Sequence, residues 1–68
     1  LIRVYTEDGK EPMLLKKGAK VRDAAEKIHR KLLEGFEWAR VTRDGKTFRV
    51  GLDFELKDGD IIWIKSRL

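Results

Sequence analysis

The chain has no cysteine, and only one proline, one histidine and one methionine among its 68 residues. Without thiols there are no disulfides and no thiolate metal ligands, so stability has to come from packing and nothing calls for an oxidising compartment. With a single imidazole, His29, and no Ser, Cys or second His placed to complete a nucleophilic or zinc constellation, hydrolytic chemistry is not expected. Long apolar runs are also missing. The longest, Ile61 to Ile64, is four residues, where a bilayer-spanning helix needs roughly 20, so no membrane span is expected. The first residues, Leu1-Ile2-Arg3, read as strand rather than signal peptide, which suggests a cytoplasmic piece of a longer polypeptide.

What the chain does have is charge and short periodic segments. Hydrophobic and charged residues each make up 41% of it, with 16 Lys plus Arg against 12 Asp plus Glu and a net charge of +4. This is the composition of one small folded domain over 1–68, burying about 60% of the surface its extended form would expose.

Residues Ile2–Thr6 alternate in type, Glu7-Asp8-Gly9-Lys10 is a polar turn, and Met13-Leu14-Leu15 follows, a pattern that predicts a β-hairpin. Pro12 cannot donate a ladder hydrogen bond, which puts the second strand at a sheet edge or its Pro at a strand end. The period then changes. Val21, Ala24, Ala25, Ile28 and Leu32 form a stripe that predicts a helix over 21–33, stopped by Gly35 at its C′ position. Arg22, Glu26 and Arg30, and Asp23 with Lys27, are spaced for i,i+4 pairs on its solvent side. Lys20 falls in the N-cap slot with no acceptor, so the helix start is expected to fray and Lys20→Thr or Lys20→Asp to add about 0.5 to 1 kcal/mol.

Period two returns over 36–43, Asp44-Gly45 is a hairpin turn, and 47–50 is the return strand. Residues 51–56 read as a tight loop giving Leu52 and Leu56 to the core. Asp58-Gly59 turns the chain into a last strand, Ile61 to Ile64. The order ββαβββ with one helix predicts a two-layer α+β domain, the helix sealing one face of a four- or five-stranded sheet. If Ile2, Val4, Ala39, Val41, Phe48, Val50, Ile62 and Ile64 face the helix, alternation sends Arg3, Tyr5, Trp38, Arg40, Thr42, Arg49, Ile61, Trp63 and Lys65 to the other side.

The stretch KGAKVRDAAEKIHRKLLEGFEWARV over 17–41, followed by RVGLDFELKDGDII over 49–62, resembles a TGS domain, most closely the carboxyl-terminal one of developmentally regulated GTP-binding proteins, relatives of the Obg GTPases. The resemblance implies a β-grasp, ubiquitin-like fold with strand one beside strand five and strand five beside strand three. It also implies a G domain in the parent protein and an accessory role toward a ribosome, RNA or regulatory protein; related domains occur on threonyl-tRNA synthetases and stringent-response enzymes. It assigns Val21, Ala25 and Ile28 to the helix core, Gly51 and Leu52 to the turn after a strand, and Asp58, Gly59 and Asp60 to the turn feeding the last strand. It hands over no catalytic residue and no cofactor. The chain departs from the pattern at Lys20, where a Thr cap is usual, and in a shorter connection from Val41 to Arg49.

No site chemistry competes with this reading. Gly45-Lys46-Thr47 is the tail of a phosphate-binding loop motif without its front half, so GTP binding is not expected here. Asp53/Glu55 and Asp58/Asp60 are read as solvated acids with Asx-type backbone bonds rather than acid/base pairs, and Asp58-Gly59-Asp60 is too short for a calcium loop.

The surface carries the functional signal. Lys20 to Arg49 holds nine Lys or Arg against five acids, and the remainder from Val50 holds three against four, a local excess that favours an anionic partner. In the implied sheet Trp63 lies between Tyr5 and Trp38, with Arg3, Arg40, Arg49 and Lys65 around them and Thr42 on the same face. Such residues suit a protein or ribonucleoprotein interface. They also suit weak, salt-sensitive contact with RNA, and Arg stems can equally just cover exposed rings.

Overall fold

The computed structural model describes residues 1–7 and 11–67. Five strands, β1 (Ile2–Thr6), β2 (Met13–Leu15), β3 (Phe36–Arg43), β4 (Lys46–Val50) and β5 (Ile61–Ser66), form one mixed sheet in the order β2-β1-β5-β3-β4. β1 and β5 pair in parallel at the centre, and the other neighbours are antiparallel. Two helices, α1 (Val21–Ile28) and α2 (Lys31–Glu34), connect β2 to β3. With the helices packed on one face this is the two-layer α+β domain that element order and alternation predict, in the β-grasp arrangement that the resemblance implies. β2 is an edge strand, where the missing amide of Pro12 disturbs no ladder. Of the first turn, residues 8–10 lie outside the described residues.

The core is built from alternate strand residues and the helix stripe. Val4, Val21, Ala24, Ala25, Ala39 and Val41 are completely buried, with Leu56 and Ile62 nearly so. Phe48, Val50, Leu52, Phe54 and Ile64 pack around them. All eight inward residues expected from alternation lie on this side. Asp44 and Gly45 both adopt positive φ, 53° and 77°, between the paired residues Arg43 and Lys46. A two-residue turn of that kind matches the right-handed twist of the strands it joins.

The helix departs from the expected 13-residue rod. α1 ends at Ile28 because His29 adopts an extended conformation, φ −169° and ψ 127°, and its Nδ1 accepts the Lys31 amide at 3.1 Å. That ring nitrogen takes the donor which a continuing helix would give to Lys27, and α2 starts as a separate helix at Lys31. Ile28, expected in the core, is consequently 43% exposed and lines a shallow groove with Leu32, Ile62, Trp63 and Ile64. Gly35 closes α2 at φ −102°, not as a left-handed stop. The side chains expected in i,i+4 pairs take other partners, two of them distant in sequence and one, for Asp23, only three residues back. Arg22 bonds Asp53, Asp23 accepts the Lys20 amide, and Lys27 Nζ donates to the Leu14 carbonyl.

The α1 start does not need the missing cap. The Val21 and Arg22 amides donate to the carbonyls of Phe54 and Leu52 at 3.0 Å each, and the Asp23 amide donates to the Lys20 carbonyl at 2.9 Å. The loop over 51–56 therefore acts as the cap, from 30 residues away in sequence, and the stability gain expected from Lys20→Thr disappears.

Candidate functional site

Two bidentate arginine–carboxylate pairs lie on opposite sides of the sheet. On the helix side, Arg43 at the end of β3 donates Nε to Asp60 Oδ1 at 2.7 Å and Nη2 to Oδ2 at 2.6 Å. Asp60 is 1% exposed and also accepts the Lys57 amide at 2.8 Å. Burial pushes its carboxyl up, but Arg43 and the Lys57 amide outweigh that and hold it below the ordinary aspartate range. The Arg43 guanidinium also lies 5.3 Å from the Phe54 ring centre and 5.7 Å from that of Phe48. Asp60 was expected to be a solvated turn residue; it is instead a buried ion tied into the core. Asp58 accepts the Arg3 amide at 2.7 Å, while Asp53 and Glu55 are exposed and paired with Arg22 and Lys57.

The open side of the sheet carries the other pair. Arg40 donates Nε to Glu7 Oε2 at 2.8 Å and Nη2 to Oε1 at 2.9 Å. Its hydrogen bonds hold the Glu7 carboxyl below the usual glutamate range. The same guanidinium is stacked 4.4 Å from the Trp63 ring centre. Trp63 meets Trp38 at 5.3 Å with the rings tilted by 55°, and Arg49 lies 4.5 Å from the Trp38 ring centre. The result is a ladder, Glu7, Arg40, Trp63, Trp38, Arg49, across β5, β3 and β4. Strand register explains it: Arg40 is opposite both Trp63 and Arg49, and Trp38 is opposite Lys65.

The structure brings together Trp38, Arg40, Arg49 and Trp63, with Lys65 beside Trp38, as expected. Tyr5 differs. The parallel β1/β5 register sets it opposite Ile61 rather than Trp63, so Trp63 does not lie between Tyr5 and Trp38. Tyr5 is 37% exposed and shares a shallow hollow with Ile61 and Thr42. The Thr42 hydroxyl is hydrogen-bonded to that of Thr47 at 2.9 Å. Arg3 is exposed on the same face but opposite Leu14, beyond the Tyr5 row. Glu7 was missed because it reads as turn; as the second residue after Tyr5, it continues that strand's outward alternation.

Among the described residues no group of three or more His, Asp or Glu gathers to hold a metal ion, and no helix is long and apolar enough to cross a membrane. The fold and face define a small β-grasp module whose distinctive chemistry is on its surface. The TGS domain family matches the chain over residues 2–66, and the chain belongs to that family. It is 42% identical over 62 residues to an uncharacterized GTP-binding protein of Methanocaldococcus jannaschii, covering 84% of this chain and 15% of that protein. A second such protein from the same organism is 46% identical over 56 residues, 82% of this chain and 14% of the relative. One from Halobacterium salinarum is 34% identical over 76 residues, 98% and 20% of the two. The chain spans a fifth or less of the length of these relatives.

Proposed function

We propose that this chain is a non-catalytic accessory module of a larger cytoplasmic GTP-binding protein, in the manner of the C-terminal TGS domain of developmentally regulated GTP-binding proteins. It docks through the open sheet face on a protein or ribonucleoprotein partner, including the G domain of its own parent. The contact face comprises Trp38, Arg40, Arg49, Trp63 and Lys65, flanked by Tyr5, Thr42 and Arg3. The names of the relatives support the GTPase context.

The single observation behind the docking role is the Trp38–Trp63 pair with an arginine on each ring, both indoles only half-buried. Trp and Arg are the side chains that concentrate binding energy when a partner excludes water from them. The same geometry disfavours stacking of RNA bases, because a base would have to displace a guanidinium from each indole.

The test is co-sedimentation of the chain with purified ribosomal particles and binding to the purified G domain, beside titrations of labelled rRNA and tRNA at two salt concentrations. Docking predicts binding to the particles or the G domain, lost in Trp38→Ala and Trp63→Ala while both variants keep a native circular dichroism spectrum. Binding to neither, or binding indifferent to both Trp substitutions, would overturn the reading. Salt-sensitive binding to naked RNA that is lost in an Arg40→Ala/Arg49→Ala variant would replace it with direct RNA contact.

A further inference from the structure

The two halves of the ladder are chemically alike and differently filled. In each, a guanidinium rests on an indole: Arg40 on Trp63 and Arg49 on Trp38, at 4.4 and 4.5 Å. The first half holds a carboxylate, because Glu7 receives two hydrogen bonds from Arg40. No carboxylate among the described residues lies within ion-pair distance of Arg49. Arg40 and Arg49 are direct cross-strand neighbours. Like charges placed so oppose each other, and Glu7 compensates only one of them.

We infer that the Arg49–Trp38 half, with Lys65 opposite Trp38, is a vacant carboxylate site that takes an Asp- or Glu-rich segment of a protein partner, and that Glu7 is the chain's own occupant of the equivalent Arg40–Trp63 half. The inference rests on the docking reading above and names the partner chemistry for the same face. Three features select an acidic peptide. Among the described residues Arg3, Arg40, Arg49 and Lys65 put four cations on this side of the sheet, one of them bonded to Glu7. A stacked guanidinium keeps its N–H edge free for a planar, bidentate acceptor, which a carboxylate supplies. Glu7 shows that geometry realised within the fold. Both indoles also carry a guanidinium, so the face offers anions hydrogen bonds rather than offering bases a stacking platform.

Glu7 then has a second role. It competes for Arg40 with any incoming acidic side chain, and its removal opens the second half of the site to the partner.

The chain contains two tryptophans, both in the ladder, so intrinsic tryptophan emission reports on the ladder as a whole. Hexaglutamate is titrated into the intact chain at low salt, with inorganic phosphate and a uridine hexanucleotide as parallel arms. The expected result is a saturable emission change with hexaglutamate, stronger than with either other anion and weakened by added salt. Arg49→Ala should lower the apparent affinity about tenfold, the scale for losing a charge-assisted hydrogen-bond pair. Arg49→Lys should recover little, since charge without the stacked fork is insufficient, and Glu7→Gln should raise affinity a few-fold.

Tighter response to the nucleotide, equal response to all three anions, or an Arg49→Ala variant that binds like the parent would each overturn the carboxylate site. A Trp38-dependent association with ribosomal particles or the G domain that persists without any hexaglutamate response would reject this inference while leaving the docking reading intact. Loss of both would reject both.

Discussion

Arg43–Asp60 and Arg40–Glu7 are the same chemical object in two environments, each an arginine bonding a carboxylate through two nitrogens while lying against an aromatic ring. The Asp60 side chain is 1% exposed and that of Glu7 31%. Inside, Asp60 has exchanged water for Arg43 and the Lys57 amide, so removing Arg43, whose own side chain is 31% exposed, strands a buried carboxylate. Outside, Glu7 and Arg40 can each return to water at little cost. The buried pair anchors the start of β5 and belongs to the fold. The exposed pair is spare to the fold, which leaves its arginine available to a partner.

The largest effect should therefore follow from Arg43→Ala. It leaves the Asp60 carboxylate buried without its main partner and is expected to cost about 3 to 5 kcal/mol, measured by urea unfolding. Matching loss on Arg40→Ala would erase the contrast.

Next comes pH. The folded Asp60 carboxyl lies below its ordinary value, so near and below about pH 4, the usual aspartate range, the unfolded chain binds protons that the folded chain does not. The pair's contribution is present above that range and is lost as pH falls through it toward the lower folded value. Thermal melts between pH 7 and 2 should show this drop, and Asp60→Asn should reduce it, the remainder coming from Glu7 and Glu55, whose carboxyls are also lowered. A stability curve that rises on acidification would contradict the assignment.

Glu7→Gln should change stability by less than about 1 kcal/mol, the scale of exposed ion pairs. A larger loss in the melting midpoint would mean that the outer pair is also structural. Smallest of all, Lys20→Thr should shift stability by no more than about 0.5 kcal/mol, because Phe54 and Leu52 carbonyls already hold the first free amides of α1. A clear gain in melting temperature would show that the 51–56 loop is a poor cap.

Much of the fold could be read from local pattern. Alternation over 2–6, 36–43 and 61–64 identified which residues face the helix, and Asp44-Gly45 fixed a hairpin, because both signals depend only on neighbouring residues. The helix break did not show, since it comes from the His29 ring capturing the Lys31 amide rather than from any Gly or Pro. The ladder was legible in part: alternation gave the face, and the strand order that the resemblance implies brought Trp38, Trp63, Arg40 and Arg49 together. Glu7 is 33 residues from Arg40 and Asp60 is 17 from Arg43. Neither partnership has a local signature, and the β1/β5 register that moves Tyr5 away from Trp63 is set by tertiary pairing.

On this reading the outer ladder serves recognition while the fold stands without it. Urea unfolding and hexaglutamate-dependent tryptophan emission, recorded on the same Arg49→Ala sample, test it most directly. The expected result is an unfolding midpoint within error of the parent chain and an emission response weakened about tenfold. A lowered midpoint with an undiminished response would assign the ladder to stability and contradict the claim.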